Sequence, residues 1–162
     1  MTTLTEKDRR ALSLRWRHFD VFNTAQWHRL LALRTAIFVV EQQCPYQEVD
    51  EKDPLCWHLE LLHDEQLIGT LRVVPPGVTY AECAIGRVAI DATYRGLGLG
   101  RDMMEAALLF CEARWPQGVR LSAQLYLQAF YESLGFQATR EPYLEDDIPH
   151  IEMLRCFEPS GS

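Results

Sequence analysis

Leu12, Leu14, Trp16 and His18 alternate with Ser13, Arg15 and Arg17, a period of two that predicts a strand. Asn23 or Thr24 is placed to cap the helix that follows, on which Trp27, Leu30, Leu31, Arg34 and Phe38 share one face. Pro45 stops it, and residues 41–53 read as an irregular acidic segment closed by Pro54. Strands are expected over 57–63 and 66–73, joined by the tight turn Asp64-Glu65, and Pro75-Pro76-Gly77 breaks the second. Residues 84–90 are β-rich and expected to be buried on both faces; a glycine-rich turn fills 91–100. From about Gly98 to Trp115, Leu99, Met103, Ala106, Ala107 and Phe110 make an apolar stripe opposite Arg101, Asp102, Glu105 and Glu112, the pattern of an amphipathic helix. Pro116 and Gly118 end it. A strand over 119–123, a short helix over 127–134 capped by Gly135, an acidic turn and a strand over 148–156 complete the pattern. Residues 1–11 are polar and read as loose or weakly helical. Strands before, between and after helices predict an α/β (α+β) sheet flanked by helices.

Composition bounds this picture. With 162 residues, 48% apolar and 24% charged, the chain is expected to form one domain over 1–162, with its core at about 12–156. A formal charge of −7 argues against a nucleic-acid partner and against an acidic membrane surface. The longest apolar run, Ala106 to Cys111, is far short of a membrane span, and no signal-peptide pattern follows Lys7, Arg9 and Arg10. The five cysteines show neither zinc-ligand nor redox spacing, so no metal is implied and a cytoplasmic location with reduced thiols is expected.

Candidate chemistry begins at Arg95-Gly96-Leu97-Gly98-Leu99-Gly100-Arg101, between a β-rich run and a long helix. Glycine permits positive φ and close approach of a ligand, and the free N–H groups of a helix start favour an anion. The loop suits a phosphate or pyrophosphate. A nucleotide P-loop would need Lys-Ser/Thr after the last glycine, where Arg101-Asp102 stands. A dinucleotide fingerprint would need its third glycine one place later and an acid near Arg120 and Leu121.

With Gly86-Arg87-Val88-Ala89-Ile90 before it, the loop resembles the acyl-CoA pyrophosphate motif of the GNAT acetyltransferase superfamily, Arg/Gln-x-x-Gly-x-Gly/Ala, matched by Arg95, Gly98 and Gly100. Gln124, seven positions before Tyr131 in Phe130-Tyr131-Glu132-Ser133-Leu134-Gly135-Phe136, resembles the second signature, an amide followed by a "YESLGF" box. Residues 39–50 (VVEQQCPYQEVD) and 145–153 (EDDIPHIEM) resemble stretches of the narrower ElaA-like group. Asp147 stands where that group usually has glycine, and Gln124 where many superfamily members have asparagine.

The resemblance implies the GNAT acyl-CoA N-acyltransferase fold, a central mixed, mostly antiparallel sheet flanked by helices. It also implies acetyl-CoA as co-substrate, with transfer to a primary amine of a small molecule or peptide by direct attack on the thioester. The alternative is a non-catalytic CoA-binding, regulatory or protein-interaction module on the same fold, and a homodimer is open. By the same match Val88, Ala89 and Ile90 hold the pantetheine like an added strand, with an N–H near Val88 or Ala89 facing the oxyanion. Arg95, Gly96, Leu97, Gly98, Leu99 and Gly100 hold the pyrophosphate, Arg101 adds a charge contact, Gln124 contacts the cofactor, and Tyr131 is the general acid. The match does not choose a base among Glu41, Glu48, Asp50, His58 and His150. Glu41 is the catalytic candidate, Asp50 and His150 are expected at the acceptor, and Arg87 reads as a structural ion-pair partner. Residues 41–53 carry five acids against Lys52, and 141–152 carry five acids with no Lys or Arg. Both stretches are expected to flank the acceptor cleft and attract a cationic amine.

Overall fold

The computed structural model describes residues 3–157; the first two and last five residues of the expected 1–162 domain lie outside them. Helix α1 (Glu6–Ala11) is capped by Thr5, whose side chain accepts from the Asp8 amide. Strand β1 (Leu12–His18) follows directly. Asn23, not Thr24, caps α2 (Thr24–Thr35), and Gln26 returns a side-chain oxygen to the Asn23 amide, completing a capping box. The helix does not stop there. It widens into a π-helical segment, Ala36–Glu41, in which the Ile37 carbonyl accepts from the Gln42 amide.

Strands β2 (Trp57–His63) and β3 (Gln66–Val74) form the expected hairpin. Asp64 and Glu65 both take left-handed φ, 49° and 67°, as a two-residue turn between twisted strands requires. Then come β4 (Cys83–Ile90), α3 (Leu99–Arg114), β5 (Val119–Gln124), α4 (Gln128–Glu132), β6 (Gln137–Ala138), β7 (Tyr143–Glu145) and β8 (Ile148–Arg155). The expected helix over 127–134 is a 3-10 turn, Leu125–Leu127, leading into α4. Strands β6 and β7 are too short to show a period and were not anticipated.

The sheet runs β1-β2-β3-β4-β5-β8-β6, with β7 also on β8. Every pairing is antiparallel except β4 with β5. Alternation sorts the side chains of β2 and β3 between two layers. Leu59, Leu61, Leu71 and Val73 join Met103, Met104, Ala107, Phe110 and Cys111 of α3 in the apolar core. Gly69 permits this close approach, because a Cβ there would meet Met103 Sδ at 3.2 Å. The opposite positions, His58, Glu60 and Arg72, face α2 and its flanks, where burial is ionic. Glu60 receives Arg17 and Arg29; Arg34 bridges Glu48 and Asp53; Arg72 bridges Asp50 and Asp53.

Strands β4 and β5 are joined only at Cys83↔Val119 and Ala84↔Arg120. Beyond Ala84 they part. The β3–β4 register shifts between Thr70 and Arg72, opposite a bulge at Arg87, whose φ is 51°. Gly86, Arg87 and Val88 are consequently half-buried rather than enclosed on both faces, because they border the opening.

Candidate active site

The parting of β4 and β5 leaves a cavity of about 540 Å³. Ile85–Ile90 form one wall and Leu121–Gln124 the other. The π-helical segment and Cys44 and Tyr46 close one side, while Tyr131 of α4 and the β7–β8 hairpin close the rest. Among the described residues the cavity edge of β4 beyond Ala84 has no neighbouring strand, so its peptide groups can meet an extended ligand as a strand would.

The glycine loop lies past the end of β4. Gly96 and Gly98 have φ of 76° and 80°, and a Cβ on either would meet nothing within 4 Å. Backbone conformation, not crowding, requires glycine there, and the space above stays open. Gly98 caps α3 and its carbonyl accepts from Asp102, leaving the amides of Leu99, Gly100 and Arg101 free for an anion. Leu99 acts through its backbone alone, since its side chain is in the core, and Leu97 packs against the same core. Arg95 lines the cavity, donating through Nε to the Ile90 carbonyl and through both Nη atoms to Glu41 at 2.7 and 3.0 Å. An open strand edge, open glycines, free amides and a guanidinium in series fit an extended amide chain that ends in phosphates. Arg101 departs from expectation. Its side chain turns away from the cavity to Ser133 and the Phe130 ring, tying the start of α3 to α4.

Tyr131 is 7% exposed and set edge-on to Phe130 and Phe136. Burial pushes its phenol up to about 12, so it stays protonated at neutral pH. Among the described residues its hydroxyl has no hydrogen-bond partner. Gln124 ends β5 beside His150 of β8, and both line the cavity. His150 Nδ1 donates to the Ile148 carbonyl at 2.7 Å, while Nε2 stands 3.2 Å from a Glu145 carboxylate oxygen.

The acidic segment 41–53 corrects the steering expectation. Only Glu41 of its carboxylates reaches the cavity, and Arg95 holds it in a bidentate pair. Asp50, expected at the acceptor, is bidentate to Arg72 at 2.8 and 2.9 Å. Burial alone would raise its pKa, but the Arg72 pair holds it well below the usual carboxylate range. Glu48 accepts from Arg34, Arg87 and Tyr46, which makes Arg87 the ion-pair partner expected of it. His58 packs under α2 against Phe22 and Trp27, away from the cavity. Arg34 of α2, Arg72 of β3 and Arg87 of β4 neutralise Glu48, Asp50 and Asp53, and no local pattern announces them.

Of the acidic stretch 141–152 expected beside the acceptor cleft, Glu145 and Asp146 line the cavity, although neither is singled out by the sequence as a site residue. The signal was present: a two-residue Asp146-Asp147 turn pairs Glu145 with Ile148 and Tyr143 with His150, placing Glu145 and His150 on one face.

The chain is similar in sequence and fold to known proteins. The model of the acetyltransferase (GNAT) domain family matches residues 26–155. Protein ElaA of Escherichia coli (strain K12) is 38% identical over 141 residues, which cover 85% of this chain and 92% of ElaA. The crystal structure of Escherichia coli ElaA superposes with a TM-score of 0.84 at 36% identity, over 89% of this chain and 99% of that one. An acyl-CoA N-acyltransferase from Pseudomonas aeruginosa gives 0.85 at 45% identity, over 90% and 99%. The chain belongs to the GNAT acetyltransferase family. Within it, the similarity is to the ElaA-like group.

Proposed function

We propose that the protein is a cytoplasmic, single-domain N-acetyltransferase that moves the acetyl group of acetyl-CoA to a primary amine by direct attack on the thioester. The observation that carries this reading is the open edge of β4, flanked at one end by the glycine loop and facing a buried, protonated Tyr131. Acetyl-CoA supplies an activated acyl group. The β4 edge binds its amide chain, and Gly96–Gly100 with Arg95 receive the phosphates.

An alkylammonium has a pKa of about 10.4 and must lose a proton before it attacks. His150 takes that proton at Nε2, directly or through water, because its Nδ1 hydrogen is already committed to Ile148. Glu41 is the weaker base, since Arg95 occupies both its oxygens. An N–H of the Val88–Ala89 stretch stabilises the negative charge on the acetyl oxygen. As the C–N bond forms and the C–S bond breaks, Tyr131 gives its proton to the leaving sulfur, and the second proton lost by the acylated nitrogen restores the phenol through water.

Calorimetry with acetyl-CoA and a screen of amines for thiol release test this together. Binding with turnover supports it; failure to bind acetyl-CoA at millimolar concentration overturns it. In the same assay Tyr131→Phe is expected to lower kcat roughly 100-fold with little change in the KM for acetyl-CoA. Equal turnover by Tyr131→Phe and the parent protein would remove the tyrosine from the mechanism.

A further inference from the structure

The acceptor end of the cavity holds two proton acceptors face to face. The Ile148 carbonyl can only accept, so His150 carries its hydrogen on Nδ1. In the neutral ring Nε2 is then a lone pair, 3.2 Å from Glu145 Oε2. His150 is 9% exposed and stacked on Tyr143, so the ring is not free to swing away. Two lone pairs at that distance repel unless a hydrogen lies between them. An ammonium between them satisfies both, with one N–H to the carboxylate and one to Nε2.

Asp146, next in the turn, lines the same cavity and has no ion pair among the described residues. The other charges of the cavity cancel locally: Glu41 against Arg95, and Arg87 against Glu48. The uncompensated charge is therefore negative and confined to the β7–β8 hairpin. We propose that the acceptor is an aliphatic diamine or polyamine. The ammonium to be acetylated sits between Glu145 and His150, and a second cation rests on Asp146. This builds on the transfer reading and gives it a substrate class, with Glu145 as the residue that positions the amine for His150.

The test compares 1-aminobutane, 1,4-diaminobutane and aniline as acceptors at neutral pH by thiol release. Diaminobutane is expected to exceed aminobutane in kcat/KM by roughly tenfold, the worth of one charge-assisted hydrogen bond. Asp146→Asn should erase that advantage through KM. Glu145→Gln should raise KM for both alkylamines by about tenfold while sparing aniline, which is neutral. Glu141→Gln, exposed and outside the cavity, should change none of these. Equal use of mono- and diamine, an equal loss for aniline in Glu145→Gln, or preference for a lysine-bearing peptide over diaminobutane would overturn the proposal. If no amine releases thiol, the transfer reading fails, and the site is judged separately by calorimetry of 1,4-diaminobutane into the CoA-loaded protein. Binding weakened by Asp146→Asn supports it; absence of binding overturns it.

Discussion

Glu41 and Arg95 show how one contact can separate two roles. Both side chains are 42% exposed, so their pairing is worth no more than about 1 kcal/mol. It nevertheless occupies the guanidinium that a phosphate would use. Glu41→Gln frees Arg95 and is expected to tighten acetyl-CoA binding roughly two- to fivefold, measured by calorimetry. Were Glu41 the base, the same variant would lose turnover at unchanged affinity. Asp147 offers a second single-residue test. Its φ of 62° is a left-handed conformation that any L side chain adopts at a cost, although aspartate does so better than most. Asp147→Gly should stabilise the fold by about 0.5–1 kcal/mol in urea denaturation, leaving the Glu145–His150 register intact.

Among the elements, β4 and the segment 41–53 depend on each other. Glu48 ties that segment to Arg34 of α2 and to Arg87, the bulge residue of β4. Glu48→Ala leaves two guanidinium groups short of their partner, one of them fully buried, and should cost about 3–5 kcal/mol by denaturation. The bulge also marks where sequence reasoning stopped. The strands, the caps and the α3 stripe were legible because period and punctuation are local. At the bulge Arg87, not its neighbour Gly86, takes positive φ, held by a carboxylate 39 positions away. The parting of β4 and β5 has no signal in the sequence; the family resemblance implies only that β4 holds the pantetheine like an added strand. The glycine loop and Tyr131 were visible as motifs. Glu145 was legible only as one of five acids beside the cleft, because the three-residue strand that orients it is too short to read. The inward turn of Asp50 was hidden because its partner, Arg72, lies on β3, 22 positions away.

For the molecule as a whole, the two layers beside the sheet respond differently to acid. Among the described residues the core beneath α3 buries no carboxylate and no histidine. The α2 layer buries His58, and desolvation pulls it down from 6.5 to about 4. Between those values the unfolded chain binds a proton that the native protein refuses. Stability should thus fall by about 3 kcal/mol as pH drops from 6.5 through 4, followed by urea midpoints across that range. His58→Leu should flatten the slope. The arginine-paired Asp50 and Asp53 resist longer, because burial would raise their pKa values but their arginines hold them below the usual range.

The half of β4 beyond Ala84 has a further consequence. It is an edge strand in the middle of a sheet, where no solvent-side lysine or proline guards it, and its sole charge, Arg87, is engaged by Glu48. Edges of this kind recruit stray strands, so this stretch of β4 is an interior invitation to self-association. A ligand that zips along the edge fills the place of the missing strand. At 100 times its dissociation constant it would add about 2.7 kcal/mol to the fold. Under the proposed transfer that ligand is acetyl-CoA, and its supply would then bear on the stability of the fold as well as on turnover.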